Sequence, residues 1–431
     1  MAENKKVLIV TYYWPPSGGA GVQRWLKFTK YLPKYGWDPI VFTPENPQFD
    51  LKDESLVKDV NAAVDVLKFP IWEPYGLFKK LTGTKELKQG QILEDNSNSA
   101  IKSLIVFLRG NLFVPDPKRF WVKPSVEYLQ GILKTNDIKH IITTGPPHSV
   151  HLIGLKLKYL NPSLTWMADF RDPWTEWDIM KQFKMLPFVE KKHRKLEKEV
   201  LKVADVVLAT GDQAAVDLKA LGAKRTKVYT NGYDADIKSR HIPAEKKEGL
   251  SLLHLGMLNE NRMPGHLFQA LDDSLAKERF NFQFRLTGII SPIVLDKINS
   301  LNYLQRHLSV QDSIDYQDLI QEYEKADVLL LLQTNSKESN SQLPGKLFEY
   351  LAQKKPILAF GDPESDVAKI LNETNSGVML SYADEKGIKK AVSDLINGTY
   401  GSAFEFIGIE KYSREEVTKR LAALLDDFDH S

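Results

Sequence analysis

The chain has 431 residues, too many for one compact core and suited to two domains of roughly 200 residues each. Hydrophobic residues make up 42% and charged residues 26%, and a formal net charge of +2 supplies no global field for nucleic acid. There are no cysteines, which excludes disulfides, thiolate metal sites and a cysteine nucleophile.

The opening MAENKKVLIVTYYW reads as a buried first strand over residues 6–12, not as a signal peptide. No segment approaches the ~18 unbroken apolar residues that a membrane span needs. The expected location is cytoplasmic, with contact at the inner face of the membrane left open. Gly18, Gly19 and Gly21 follow the first strand, then a helical period over 22–35 and a second strand over 38–43. Residues 69–127 are the least regular and mix apolar, aromatic and basic side chains. They suit either a helical hairpin inserted in the first domain or a lid or membrane-docking face. Strands are expected at 140–144, 165–168 and 206–210, with helices over 150–159 and 188–203. The lysine-rich stretch 234–248 marks a boundary. Beyond it, strands are expected at 250–255, 282–287, 327–333 and 356–360, a helix from Pro264, and a last helix over 413–428.

Such alternation predicts an α/β protein of two doubly wound, Rossmann-like domains. Their expected limits are 1–235 and 236–411, with 412–431 returning to the first domain. The loop at 17–21 lies between a strand and a helix, where glycine admits a ligand and free N–H groups favour phosphate. It is a partial dinucleotide fingerprint, with Arg24 at the third glycine position, and no Gly-Lys-Ser/Thr follows to make a P-loop.

Four segments in order, 6–43, Asn231-Gly232-Tyr233-Asp234, 256–262 and 344–352, and a further pattern, Ala168-Asp169-Phe170-Arg171-Asp172-Pro173-Trp174, resemble the retaining family 4 glycosyltransferases. The last is similar to a bacterial polysaccharide-synthesis branch. The resemblance implies the GT-B fold, its two domains facing across a cleft. It also implies a nucleoside diphosphate sugar, UDP- or GDP-linked, held mainly by the second domain. Two cations would face the diphosphate. Arg262 matches one; Met257 stands at the other, and Lys346 is expected to replace it. Glu349 would bind the ribose, and Gly18, Gly19 and Gly21 would assist. Ser341 stands where the family has the first glutamate of a pair, with Glu338 the nearest acid.

Asp169, Arg171 and His148 follow strands, at the edge where open sheets bind ligands, and are the expected catalytic residues. Arg171 falls closest to the family's sugar-contacting histidine. His148 suits either a structural role or a contact to acceptor or sugar, and Asp169 with Arg171 suits equally an Asp–Arg network of the fold. An Asp169/Asp172 metal site is the weaker expectation; the resemblance implies neither metal nor cofactor.

The function expected is therefore retaining transfer of a hexosyl group to a glycan or lipid-linked acceptor in cell-surface polysaccharide synthesis. A sugar-nucleotide epimerase and a noncatalytic sugar-nucleotide-binding protein are the alternatives. A nicotinamide oxidoreductase is disfavoured by the incomplete glycine motif.

Overall fold

A computed structural model describes residues 5–49, 51–74, 100–176, 180, 183–234, 249–277, 280–312, 314 and 316–429. The chain divides into two compact units, one of residues 1–230 with 414–431, the other of 231–413.

The first unit holds a seven-stranded sheet of order β3-β2-β1-β4-β5-β6-β7. Its strands are β1 (Lys5–Thr11), β2 (Trp37–Pro44), β3 (Asp65–Phe69), β4 (His140–Gly145), β5 (Thr165–Phe170), β6 (Val206–Ala209) and β7 (Thr226–Val228). All pairings are parallel. Side chains alternate across a sheet, yet Val7, Leu8, Ile9 and Val10 are all buried. Leu8 and Val10 pack with Phe42, Trp121, Leu129 and Val150 on one face. Val7 and Ile9 pack with Trp25, Trp37, Leu421 and Leu425 on the other. Burial on both faces is why this strand reads as an unbroken apolar run. The last helix, Arg414–Asp429, supplies Leu421 and Leu425. Asp426 and Asp429 anchor it to Lys5 at 3.0 and 3.1 Å.

The second unit holds a parallel sheet of order β10-β9-β8-β11-β12-β13. Here β8 is Leu250–Leu255, β9 Phe282–Thr287, β10 Leu308–Gln311, β11 Val328–Leu332, β12 Ile357–Phe360 and β13 Gly377–Leu380. Leu252, Phe284 and Leu330 face one core, Leu253, Leu329 and Ile357 the other.

Residues 75–99, the centre of the irregular stretch, and 235–248, most of the expected linker, lie outside the described residues. The described part of the irregular stretch forms the helices Ala100–Leu112 and Val122–Thr135 around a 3-10 turn, Pro117–Trp121. Its basic and aromatic side chains divide. Trp121 stacks on Phe42 in the core (4.9 Å, 8°), and buried Lys118 meets Glu73 at 3.4 Å. Trp72 and Phe120 pack edge to face (4.8 Å) and are exposed.

Candidate functional site

In the first unit the carboxyl ends of neighbouring strands β1, β4 and β5 carry three segments: the glycine loop, residues 145–148 and residues 169–175. Asp169, in β5, is fully buried. Its carboxylate accepts from Arg24 Nε (3.2 Å) and Nη2 (2.8 Å), from Trp25 Nε1 (2.7 Å) and from Thr144 Oγ1 (2.9 Å). Arg24, also buried, donates to the Thr230 carbonyl at 3.0 Å. The residue that spoils the dinucleotide fingerprint is thus the counter-charge of Asp169.

Arg171 lies just beyond β5, and each of its nitrogens meets a main-chain carbonyl. Nε donates to Gly145 (3.1 Å), Nη1 to Gly21 (2.6 Å) and Nη2 to Pro146 (2.5 Å). One planar guanidinium therefore clamps two loops together. A Cβ on Gly21 would sit 2.4 Å from Arg171 Nη1, so that position needs glycine for the close approach. The Gly18 N–H donates to the Leu51 carbonyl at 3.0 Å. Gly19 is the N-cap of helix Ala20–Tyr31 and gives it no side-chain cap. The loop's remaining offering to an anion is that helix's first turn of N–H groups.

His148 precedes helix Ser149–Leu160. It is 7% exposed, stacks on Trp174 (5.0 Å, 4°), and neither ring nitrogen has a hydrogen-bond partner. Burial holds it well below the ordinary histidine range, helped by His151. The Pro173 main chain opposes this, from outside hydrogen-bond geometry. His148 is therefore neutral at pH 7. Asp116, 33 residues back, caps the helix instead, accepting from Ser149 N and Oγ at 2.8 Å each. Neither Asp116 nor the Trp174–His193 contact (3.1 Å) carries a local sequence signal, because both partners are distant.

In the second unit β8 runs into Gly256, at φ 111°. Lys346, in the first turn of helix Gly345–Gln353, donates to the Leu255 carbonyl at 2.5 Å. A Cβ on Gly256 would fall 1.6 Å from the Lys346 ammonium. The ammonium thus lies against the residue that precedes Met257. Arg262 closes a 3-10 turn, Glu260–Arg262. Its Nε donates to Thr334 Oγ1 (3.2 Å), and its carbonyl accepts from Tyr382 Oη (3.3 Å). Among the described residues its two terminal nitrogens have no partner, and neither Arg262 nor Lys346 has a carboxylate within ion-pair distance. Glu349 is one turn beyond Lys346 on the same helix face and accepts from Tyr323 Oη at 2.8 Å. The side chain of Glu338 lies outside the described residues.

Burial pulls the Lys346 ammonium down to about 8; Glu349 opposes this and Arg262 adds to it. Buried His254 on β8 is held at about 4 by burial first, then by Lys346. The second unit therefore brings Arg262, Lys346 and Glu349 into one electrostatic group. The first unit brings Gly21, His148, Asp169 and Arg171 into another, with Gly18 and Gly19 at its helix entrance.

A pH dependence follows. The Lys346 ammonium is present below its folded value and lost as pH rises through about 8. Affinity for an anion held by this ammonium, one whose own charge is fixed in this window, should be flat up to about pH 8. Above that it should fall by up to about tenfold per unit. Calorimetric titration with a UDP-sugar, whose diphosphate is esterified at both ends, from pH 6.5 to 9.0 would check this, and a flat profile in Lys346→Arg is the expected control.

No protein-family model matches the chain, and no curated protein matches it in sequence. Solved structures do. A sucrose-phosphate synthase from Thermosynechococcus elongatus superposes with a TM-score of 0.63 at 13% identity, covering 99% of this chain and 100% of that one. Anabaena HepE in complex with UDP and glucose gives 0.60 at 12%, covering 98% and 100%. A Listeria monocytogenes protein described as a UDP-N-acetylglucosamine 2-epimerase gives 0.55 at 12%, covering 99% and 98%. The chain has the GT-B fold.

Proposed function

We propose that this GT-B protein is a glycosyltransferase that moves a sugar from a nucleoside diphosphate to an acceptor hydroxyl. One observation carries the reading: two cations, Arg262 and Lys346, share a place in the second unit with no carboxylate within ion-pair distance among the described residues. Like charges brought together repel, so such a pair suits an anionic ligand, and Lys346 at an uncapped helix N-terminus adds N–H donors. Glu349, with one oxygen already held by Tyr323, is placed to accept from ribose hydroxyls.

In the reaction the C1–O bond to the β-phosphate breaks, the acceptor oxygen bonds to C1 and the acceptor proton is released. The nucleoside diphosphate leaves with the bonding electrons. Charge grows on the leaving phosphate, so the two cations stabilise the transition state more than the ground state. Retention of configuration, a UDP- or GDP-linked hexosyl donor, a glycan or lipid-linked acceptor of cell-surface polysaccharide and action without a metal belong to the same proposal. So do a cytoplasmic location and peripheral membrane contact. No helix among the described residues is long and apolar enough to cross a membrane. Exposed Trp72 and Phe120, beside Arg119, are the side chains we assign to such contact.

The test is a thermal-shift screen of UDP-, GDP-, ADP- and CMP-sugars, followed by turnover with and without EDTA. Stabilisation by a UDP- or GDP-sugar and EDTA-resistant transfer are expected. Activity abolished by EDTA and restored by Mg²⁺ would refute the metal-free step. Isomerised donor released without acceptor would favour an epimerase, and binding without turnover a noncatalytic binder.

A further inference from the structure

One carboxylate at the carboxyl edge of the first sheet is left over once that network is assigned. Asp172 directly follows Arg171 and is partly exposed. Among the described residues its oxygens make no hydrogen bond and no ion pair. The neighbouring guanidinium gives three of its five N–H groups to carbonyls of Gly21, Gly145 and Pro146 and makes no hydrogen bond or ion pair with Asp172.

The chain on either side of Asp172 is fixed. Asp169 is held by four donors. Trp174 Nε1 donates to His193 at 3.1 Å, and Thr175 donates from both N and Oγ1 to Glu197. A rigid loop thus presents one carboxylate with no protein donor among the described residues. Burial raises the Asp172 carboxyl above the ordinary range; Arg171 opposes this and Asp169 adds to it. A group that costs the fold something and returns no contact is better explained by a ligand than by stability.

A second observation points the same way. His148 stacks on Trp174, two residues along from Asp172, and both of its ring nitrogens are buried without a partner. A neutral imidazole lacking both a donor and an acceptor partner matches a hydroxyl, which can be either. A carboxylate and a neutral imidazole together suit a hydroxyl better than a diphosphate, so the ligand sought beside them is hydroxyl-bearing.

We infer that Asp172 binds a hydroxyl of the acceptor, its carboxylate accepting a hydrogen bond from a sugar or polyol brought to the ends of β4 and β5. This rests on the glycosyl-transfer reading, in which the cations of the second unit take the donor. It moves the substrate-binding carboxylate from Asp169, wholly used by the fold, to Asp172.

The experiment is saturation-transfer NMR on the full chain with methyl hexosides, methyl N-acetylhexosaminides and glycerol, comparing wild type with Asp172→Asn and Asp172→Ala. At least one probe should bind wild type and lose affinity about tenfold or more in both variants, with the thermal midpoint unchanged or raised. Equal binding in the variants overturns the inference, and so does a wild type that binds none of the probes. Turnover is scored separately. A wild type that transfers from no nucleoside diphosphate sugar sinks the glycosyl-transfer reading, while the glycoside binding still decides Asp172.

Discussion

Arg262→Ala lowers donor kcat/KM about 10²-fold or more and leaves the folded state as stable as before. The rate loss is the size expected when one preorganised group facing a developing oxyanion is removed. The unchanged stability follows from what Arg262 lacks. It makes one side-chain hydrogen bond, to Thr334, and no ion pair among the described residues. Truncation also removes a positive neighbour that holds the Lys346 ammonium down. Arg262→Lys should recover only part of the rate, because a point charge does not reproduce a forked donor. Steady-state kinetics with the donor identified by thermal shift, beside a urea titration of each variant, would decide it. Wild-type kcat/KM in Arg262→Ala would remove the group from the leaving-phosphate site.

Asp169→Ala is expected to act the opposite way, on folding. Arg24 and Asp169 are 1% and 0% exposed at the side chain, and their nitrogen and oxygen lie 2.8 Å apart. Removing one member of a buried pair strands the other charge without solvent, at a cost of about 3–5 kcal/mol. Here the loss also leaves the Trp25 indole N–H and the Thr144 hydroxyl without the acceptor they share. We expect a large fall in the urea midpoint or an insoluble product, whereas Asp172→Asn keeps the wild-type midpoint. A midpoint within error of wild type for Asp169→Ala would show that the carboxylate is not the structural hub its contacts describe.

The contrast between two aspartates three residues apart was not legible in the sequence, where both are acids behind a strand. Which one faces inward depends on Arg24 and Thr144, at separations of 145 and 25 residues. The strands show the same division. The nine strands expected from the sequence are those with a neighbour on both sides. The four that escaped notice, β3, β7, β10 and β13, are the four sheet edges. Interior strands of parallel sheets are covered on both faces and read as apolar runs. Edge strands such as β10, LSVQ, are exposed along most of their length and carry polar residues. Arg262, Lys346 and Glu349 were legible as a motif. The lowered proton affinity of Lys346 was not, because it comes from burial against Gly256, 90 residues away in the chain.

The tether between Lys5 and the Asp426/Asp429 pair has a biosynthetic consequence. Leu421, Leu424 and Leu425 join Trp25 and Phe28 over apolar side chains of the opening strand, so this face of the first sheet stays incompletely covered until the helix of residues 414–429 leaves the ribosome. Residues 231–413, which form a compact unit of their own, are all synthesised before that helix. The half that is made first is therefore finished last.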